Sequence, residues 1–461
     1  MLPAVALVGR PNVGKSTLFN RLTRSRDALV ADEPGVTRDR RYGFASHDGA
    51  RYVVIDTGGL GGIGEAEIDP GVERQVAYAL DEADALVLVV DQQAGLSAGD
   101  LAIADRLRRS GKAVTVAINK SEGLAPELAA ADFHGLGLGE PVAIAARHGH
   151  GVPALIERVL APFDLDAAPE AAADERARLA VIGRPNVGKS TLINRLVGED
   201  RLVTSPAPGT TRDSIVVPCE REGYRFLLID TAGIRRRSRV DAGVEKFSVV
   251  QSLKAIDDAG VVIVLLDARE GVTDQDLHLI GMAADRGRAL VIGINKWDGM
   301  EAAARRRVES EVDRQLEFVA YADRRYISAL HGSGIAELVE SAMQAYQSAG
   351  REIPTPRLNE LLTLATTAHP PPVVRGRRIR LRYAHQGGRY PPLIVIHGSQ
   401  AERVPARYRR YLENSFRKAL KLVGTPVRIE FRSGDNPFAG RRNRLTQRQE
   451  RRRQRVIRHN R

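Results

Sequence analysis

Cysteine is nearly absent from the chain, whose 461 residues contain only Cys219. A single cysteine excludes an intrachain disulfide, and no residues with metal-ligand spacing surround it. This usage is typical of a reducing compartment such as the cytoplasm. We therefore predict a cytoplasmic chain in which Cys219 is an ordinary strand residue.

Long apolar runs are also missing. No segment approaches the ~18 apolar residues that a membrane-spanning helix needs, so we expect no membrane insertion. The start of the chain, MLPAVALVGR, lacks the basic flank and the cleavage-site pattern of a secretion signal. It is predicted to form a first strand.

Basic charge is concentrated at one end of the chain. From Gly350 onward, 27 Lys and Arg residues stand against seven Asp and Glu residues, a net charge of +20. Because the whole chain carries +12, residues 1–349 carry −8. A slightly acidic body joined to a basic module predicts that the module meets a polyanion.

The sequence repeats itself. The segment GRPNVGKSTLFNRL from Gly9 recurs as GRPNVGKSTLINRL from Gly183, PGVTRD from Pro34 recurs as PGTTRD from Pro208, and VIDTGG recurs as LIDTAG. Each pair keeps the same offset of 174 residues, which indicates a duplicated domain. The length of the chain predicts about three domains.

Alternating strands and helices in each copy predict an α/β fold with a doubly wound, mainly parallel sheet. Val-rich runs such as ALVLVV at 85–90 and VVIVLL at 261–266 are too short for buried helices and typical of interior parallel strands. Ligands bind beyond the carboxyl ends of such strands. The two predicted domains are residues 1–160 and 178–349, with a polar linker at 161–177.

The strongest motif is Gly-x-x-x-x-Gly-Lys-Ser, which each copy places between a strand and a helix. Its glycines let backbone N–H groups surround phosphates at a helix N-terminus. Lys15 and Lys189 are expected to reach the β- and γ-phosphates, and Ser16 and Ser190 to ligate Mg²⁺. A glycine-rich turn that binds nothing is the alternative, and two matches in the same context disfavour it. The predicted phosphate-binding residues are Gly9, Arg10, Pro11, Asn12, Val13, Gly14, Lys15 and Ser16 in the first copy and Gly183, Arg184, Pro185, Asn186, Val187, Gly188, Lys189 and Ser190 in the second.

A second pair of segments is expected to select the base. In the second copy Asn295, Lys296, Trp297 and Asp298 follow a predicted strand, and the aspartate can accept from guanine N1–H and the 2-amino group, which adenine cannot match. The equivalent residues of the first copy end in a carboxylate that is one methylene longer. We expect guanine preference there too, with weaker affinity. These residues are Asn119, Lys120, Ser121 and Glu122.

Two further segments are predicted to sense the γ-phosphate. Asp56 and Asp230 are expected to hold magnesium through water, and a backbone N–H in the glycine-containing turn that follows to approach the γ-phosphate. Thr37 and Thr211 are predicted magnesium ligands in loops that bound GTP orders, although ordinary loop threonines are the alternative. The turns are Asp56, Thr57, Gly58, Gly59 and Leu60 in the first copy and Asp230, Thr231, Ala232, Gly233 and Ile234 in the second.

This set of motifs resembles that of Ras-like G domains, and the tandem pair resembles the EngA/Der family of bacterial double-Era-like GTPases over nearly the whole chain. The resemblance implies hydrolysis of GTP to GDP and phosphate, a ribosome-associated cytoplasmic location and a role in assembling the large ribosomal subunit. Segments from Ala145 and Ser328 are expected to offer a backbone N–H to guanine O6. Glu122 and Ala145 depart from the usual aspartate and serine, so the first site is expected to have its own affinity.

The residue that follows each Asp-x-x-Gly turn bears on the mechanism. Ras-like enzymes place a water-orienting glutamine there, whereas this chain has Leu60 and Ile234. Some relatives with an apolar residue bind K⁺ through an asparagine of the phosphate-binding loop, and Asn12 and Asn186 match that position. A monovalent cation can supply the positive charge that phosphoryl transfer requires. The alternative for each asparagine is a loop-stabilising side chain.

The basic end is predicted to hold a small α+β domain at 350–437 and a tail at 438–461. LNELLTLATTAH and ARYRRYLENSFRKAL read as helices, and RRIRLRY, PLIVIHG and PVRIEF as strands. The resemblance implies a KH-like domain, but the Gly-x-x-Gly loop that clamps RNA in standard KH modules is absent. Packing between the G domains and RNA binding both stay open. The arginine-rich tail is predicted to be disordered and to suit contacts with rRNA phosphates.

Two functions stay open at this point. The chain is either a GTPase switch that acts on an assembling large ribosomal subunit, or a scaffold that binds RNA or the ribosome and turns over little nucleotide. The complete Lys, Ser, Asp and Thr set in both copies favours the switch, and an ATPase is a weaker third reading. We expect a monomer whose ligands are GTP and GDP.

Overall fold

The computed structural model describes residues 2–23, 29–33, 36–57, 77, 79–163, 176–197, 216–229, 249–374 and 377–433. The chain forms two compact units, one of Met1–Arg351 with Leu422–Pro426 and the other of Glu352–Lys421 with the residues from Val427 onward. Most of the predicted linker and all of the predicted tail lie outside the described residues. Within the described ranges, no helix has the length and apolar character that a bilayer crossing requires.

The first half of the larger unit is built on a seven-stranded sheet in the order β2-β3-β4-β1-β5-β6-β7. The neighbouring strands β4, β1, β5, β6 and β7 run parallel. Strand β3 pairs antiparallel with β2 on one side and with β4 on the other. β1 lies between β4 and β5 and is wholly buried, which explains its unbroken apolar sequence. The elements are β1 (Ala4–Val8), α1 (Lys15–Thr23), β2 (Leu29–Glu33), β3 (Val36–His47), β4 (Ala50–Asp56), β5 (Ala85–Asp91), α2 (Ala98–Arg109), β6 (Ala113–Asn119), α3 (Pro126–Ala130), a 3₁₀ helix (Ala131–Leu136), β7 (Val142–Ala143) and α4 (Val152–Leu160).

The second half repeats this plan in a six-stranded sheet with the order β13-β12-β11-β8-β10-β9, in which only the β9–β10 pair is antiparallel. The two mainly parallel sheets confirm the predicted fold class, and Cys219 is a buried residue of β9. The elements are β8 (Ala177–Ile182), α5 (Lys189–Val197), β9 (Val216–Arg221), β10 (Tyr224–Ile229), α6 (Val249–Asp258), β11 (Val261–Asp267), α7 (Asp274–Asp285), β12 (Ala289–Asn295), α8 (Ala302–Gln315), a 3₁₀ helix (Glu317–Val319), β13 (Asp323–Tyr326) and α9 (Ile335–Gly350).

The smaller unit has a three-stranded sheet in the order β16-β17-β18, with two helices packed on one of its faces. Ile396 and its neighbours Ala384 and Phe431 form the buried face of this sheet. The segment ARYRRYLENSFRKAL was predicted to be a helix, and α11 begins and ends with this segment. The elements are α10 (Thr355–Ala368), β14 (Val373–Val374), β15 (Arg377–Arg378), β16 (Arg380–Gly388), β17 (Leu393–Ser399), a 3₁₀ helix (Ala401–Arg403), α11 (Ala406–Leu420) and β18 (Arg428–Ser433).

Candidate nucleotide-binding sites

The two glycine-rich loops connect the central strand of each sheet to the helix that follows it. Gly9 and Gly183 have φ angles of +153° and +154°. A Cβ at these positions would lie 2.3 Å from the carbonyl oxygen of Val89 and 2.5 Å from that of Leu265 respectively. Both loops therefore approach the neighbouring strand so closely that only glycine fits there.

The motif lysines fold back onto their own loops. Lys15 Nζ lies 2.8 Å from the carbonyl oxygens of both Gly9 and Arg10, and Lys189 Nζ lies 2.7 Å from that of Arg184. Burial lowers the pKa of Lys15 to about 8, against the opposing effect of the Asp56 charge. Lys15 is a buried cation, and an anionic phosphate would add to the charge compensation that Asp56 provides.

Two predicted magnesium ligands meet in the first site. β1 pairs with β4 so that Leu7 lies opposite Asp56, which brings this carboxylate to the helix that begins at Lys15. Ser16 Oγ donates to Asp56 Oδ2 at 2.7 Å. A hydroxyl and a carboxylate are the hard oxygen ligands that Mg²⁺ takes, so the pair fits this ion. In the second site Asp230 lies outside the described residues.

An asparagine joins the phosphate loop to the base-recognition segment in each site. Asn119 Nδ2 donates to the carbonyl of Val13 at 2.9 Å, and its Oδ1 accepts from the N–H of Ala146 at 2.9 Å. A Cβ on Gly14 would lie 2.2 Å from Asn119 Nδ2, so this glycine makes room for the asparagine amide. This side chain therefore links the phosphate loop, the base-recognition segment and the segment that contains Ala146.

The second site repeats this arrangement. Asn295 Nδ2 donates to the carbonyl of Val187 at 2.7 Å, and its Oδ1 accepts from the N–H of Ala329 at 2.8 Å. A Cβ on Gly188 would lie 2.3 Å from Asn295 Nδ2. These N–H groups belong to the segments expected to meet guanine O6, and that contact itself stays a prediction.

The lysines after these asparagines are also fixed in place. Lys120 and Lys296 each have a φ of +63°, and their ammonium groups form ion pairs with Asp91 and Asp267 respectively. These aspartates are the last residues of β5 and β11, and they were not among the predicted site residues. The ion pairs hold both lysine side chains at the carboxyl ends of these two strands.

The two sites differ at the carboxylate predicted to recognise guanine. Asp298 Oδ2 lies 3.2 Å from His331 Nε2, and a hydrogen bond from Ser328 is the main cause that lowers the pKa of Asp298. This carboxylate is therefore ionised at neutral pH and can accept two guanine N–H groups. At the first site Glu122 is exposed and Ala145 takes the place of the serine, so this support is missing.

The residue between the lysine and the carboxylate differs as well. The Trp297 ring lies 4.2 Å from that of Tyr326, centroid to centroid. In the first site Ser121 is buried and donates to the carbonyl of Ile118 at 2.8 Å. One site therefore has an aromatic pair where the other has a small buried hydroxyl.

An arginine in the last turn of the first helix of each site was not among the predicted site residues. Arg21 Nε donates to the carbonyl of Ala146 at 3.1 Å, and Arg195 Nε donates to that of Ala329 at 3.0 Å. Both arginines thus hold the loop that supplies an N–H to the asparagine. The tripeptide Asn-Arg-Leu, which follows the Gly-x-x-x-x-Gly-Lys-Ser motif in both copies, is the sequence signal that could have identified them.

Several predicted site residues lie outside the described residues or have only a backbone described. Thr37 lies in the part of β3 of which only the backbone is described. Thr57, by contrast, is described, and its hydroxyl donates to the carbonyl of Leu7 at 2.8 Å. The roles proposed for the undescribed residues stay predictions. These residues are Gly58, Gly59, Leu60, Thr211, Asp230, Thr231, Ala232, Gly233 and Ile234.

The fold and these two sites define a class of protein, the P-loop GTPases with Ras-like G domains. A family described as "50S ribosome-binding GTPase" matches residues 4–120 and 178–296, and one described as "KH-domain-like of EngA bacterial GTPase enzymes, C-terminal" matches residues 352–432. The chain belongs to the GTPase Der (EngA) family: it is a GTPase with two G domains and a C-terminal KH-like domain.

Curated relatives match over nearly their whole length. GTPase Der of Marinobacter nauticus is 56% identical over 97% of this chain and 95% of the relative. GTPase Der of Thioalkalivibrio sulfidiphilus is 55% identical over 100% of this chain and 99% of the relative. Among solved structures, the G domain of the T. maritima FeoB iron transporter covers 35% of this chain and 98% of its own, at 26% identity and a TM-score of 0.29.

Proposed function

We propose that the chain hydrolyses GTP to GDP and phosphate at both sites and acts as a cytoplasmic, ribosome-associated switch in maturation of the large ribosomal subunit. The observation that carries this proposal is the repeated site geometry. Lys15 and Lys189 occupy equivalent positions, and each asparagine fixes its phosphate loop at nearly equal distances. The shared geometry of the two sites supports the proposal that both hydrolyse GTP.

The residues of each site suit phosphoryl transfer, which needs positioning and charge stabilisation more than proton removal. Lys15 and Lys189 would exchange loop carbonyls for the β- and γ-phosphate oxygens. Ser16 with Asp56 would hold Mg²⁺ in the first site, which when bound neutralises developing negative charge. The proposed equivalents in the second site are Ser190 and Asp230, with Thr37 and Thr211 as further ligands.

A potassium ion is the proposed second source of positive charge. Asn12 and Asn186 have φ angles of +64° and +62°, a left-handed backbone that asparagine tolerates well. Both side chains are exposed, and neither has a hydrogen-bond partner within the part of the chain that the structure describes. Their amide oxygens are therefore available as ligands for K⁺.

The proposed ribosomal partner follows from the basic end of the chain and from the name of the matching family, "50S ribosome-binding GTPase". The net charge of +20 from Gly350 onward suits rRNA phosphates. Each phosphate contact releases counterions, so log affinity falls with log salt by roughly 0.7 to 0.9 per contact. Deletion of Arg441 to Arg461 is expected to weaken binding and flatten this slope.

Co-sedimentation with purified large ribosomal subunits tests the switch. We expect the wild-type chain to bind subunits at least tenfold more tightly with a non-hydrolysable GTP analogue than with GDP. Lys15→Ala with Lys189→Ala should remove this difference, whereas Lys418→Ala, an exposed lysine of α11, should preserve it. Equal binding in both nucleotide states would favour the scaffold and overturn the switch.

A further inference from the structure

Three rings share one face of the sheet in the smaller unit. Tyr383 and His385 lie on β16 and His397 on β17, with ring centroids 5.1 Å apart for the two histidines, 5.7 Å for Tyr383 and His385, and 6.0 Å for Tyr383 and His397. Tyr383 and His397 are direct cross-strand partners. We call these three residues the ring face.

The ring face is partly open to solvent, because Tyr383 is exposed while His385 and His397 are half-buried. Helices α10 and α11 cover the opposite side of the sheet, where Ala384, Ile396 and Phe431 are buried. On the ring face Tyr383 is 45% exposed, whereas Val395, the cross-strand partner of His385, is only 1% exposed. The rings therefore cover the sheet and leave part of their own π surface accessible.

Arginines surround the rings. Arg432 on β18 is the cross-strand partner of His397, Arg428 lies opposite Leu393, and both are exposed. Arg382 is exposed next to Tyr383, at a register shift between β16 and β17. The carboxylate of Glu430 shares this side of β18 and is bound by Arg432 Nε at 2.8 Å. The surroundings of the ring face are thus net positive.

We propose that the ring face stacks the unpaired bases of single-stranded RNA while its arginines contact the phosphates. Exposed aromatic rings on a sheet, with cations beside them, are typical of sites that bind single-stranded nucleic acid by stacking on its bases. A duplex hides its base faces in the stack, so it would gain only the phosphate contacts. This inference deepens the proposed function and rests on it, since it names unpaired rRNA as the part of the ribosomal subunit that this domain holds.

A purely structural role is the competing explanation, because cross-strand rings also stabilise a sheet. The two roles differ in what they predict for RNA. Stacking releases no counterions, so loss of a ring should lower affinity equally at every salt concentration, unlike loss of the arginine-rich tail. A structural role predicts no change in RNA affinity while the domain stays folded.

The test measures fluorescence anisotropy of the full chain with a labelled 12-nucleotide oligo(A) and with an RNA hairpin duplex, across a salt series. Tyr383→Ala is expected to weaken oligo(A) binding about tenfold, to change hairpin binding little and to leave the salt slope unaltered. Tyr383→Phe, which keeps the ring, should bind like wild type. Leu364→Ala, an exposed apolar residue of α10, is the control on the helix side.

The outcomes separate the ring face from the proposed function. Oligo(A) affinity that is unchanged in Tyr383→Ala and in His397→Ala, in a chain that still binds large subunits, would overturn the ring face alone. Loss of subunit binding in these variants with RNA affinity intact would also overturn it, in favour of a protein partner. A wild-type chain that binds no large subunits in any nucleotide state would overturn the proposed function itself.

Discussion

The guanidinium of Arg10 binds the carboxylate of Asp100, with Nε 2.9 Å from Oδ1. Arg184 repeats this contact with Asp276, again at 2.9 Å. Both aspartate side chains have no exposed surface, and both also close the capping box of the helix in which they lie. The second residue of each phosphate loop is therefore tied to the helix after the neighbouring strand.

The first prediction concerns the stability of the second G domain. Arg184→Met leaves Asp276 buried without its cation, and breaking a buried pair in this way costs about 3 kcal/mol or more. Trp297, the single tryptophan, reports unfolding of this domain by its fluorescence in a urea titration. The double variant Arg184→Met with Asp276→Leu should recover part of the loss. A single variant as stable as wild type would show that the pair does not hold the loop.

The second prediction concerns protons taken up with GTP. The pKa of Lys15 is lowered from 10.5 to about 8 in the nucleotide-free chain, so between these values the unfolded chain binds more protons and the free energy of unfolding rises with pH. Bound phosphates restore the ammonium. We expect proton uptake on GTP binding at about pH 8.5, measured calorimetrically in two buffers of different ionisation enthalpy.

The experiment uses the Asp298→Asn variant, because weakened GTP binding at its second site leaves the heat of the first site to be measured. Uptake should fade as the pH is lowered well below 8, where Lys15 is already protonated in the free chain. Identical heats in both buffers at the higher pH would contradict the lowered pKa.

The third prediction concerns nucleotide choice. Asp298→Asn should weaken GTP binding at the second site by at least tenfold, because a donor replaces one acceptor. Xanthosine triphosphate should bind to this variant, because its hydrogen-bond donors and acceptors match the side-chain amide of the asparagine. At the first site Glu122→Asp should strengthen GTP binding. Fluorescent-nucleotide titration checks each change, and unchanged GTP affinity in Asp298→Asn would refute the assignment.

The fourth prediction concerns the monovalent cation. Replacing Na⁺ with K⁺ should speed hydrolysis about tenfold or more, because K⁺ supplies positive charge at the transition state. Asn12→Gly with Asn186→Gly should abolish the difference. Glycine keeps the left-handed backbone of both positions without strain, so only the amide side chain is lost. Equal wild-type rates in both salts would exclude the cation.

The sequence was most informative where spacing is local. The loop from Gly9 to Ser16 and its copy hold their predicted phosphate-binding residues within eight positions, so the place of each loop between a strand and a helix could be predicted. The Arg10–Asp100 pair joins residues 90 positions apart, and no local pattern connects them. The ring face depends on how β16 pairs with β17, including a register shift between Leu381 and Tyr383, which alternation alone does not give.

Single-turnover hydrolysis of GTP, measured with one site changed at a time, tests two-site turnover most directly. Lys15→Ala and Lys189→Ala should each remove the turnover of their own site, by about 100-fold or more, and leave that of the other. The double variant should lose both phases, and Lys418→Ala should lose neither. A double variant that hydrolyses GTP at the wild-type rate would contradict the account.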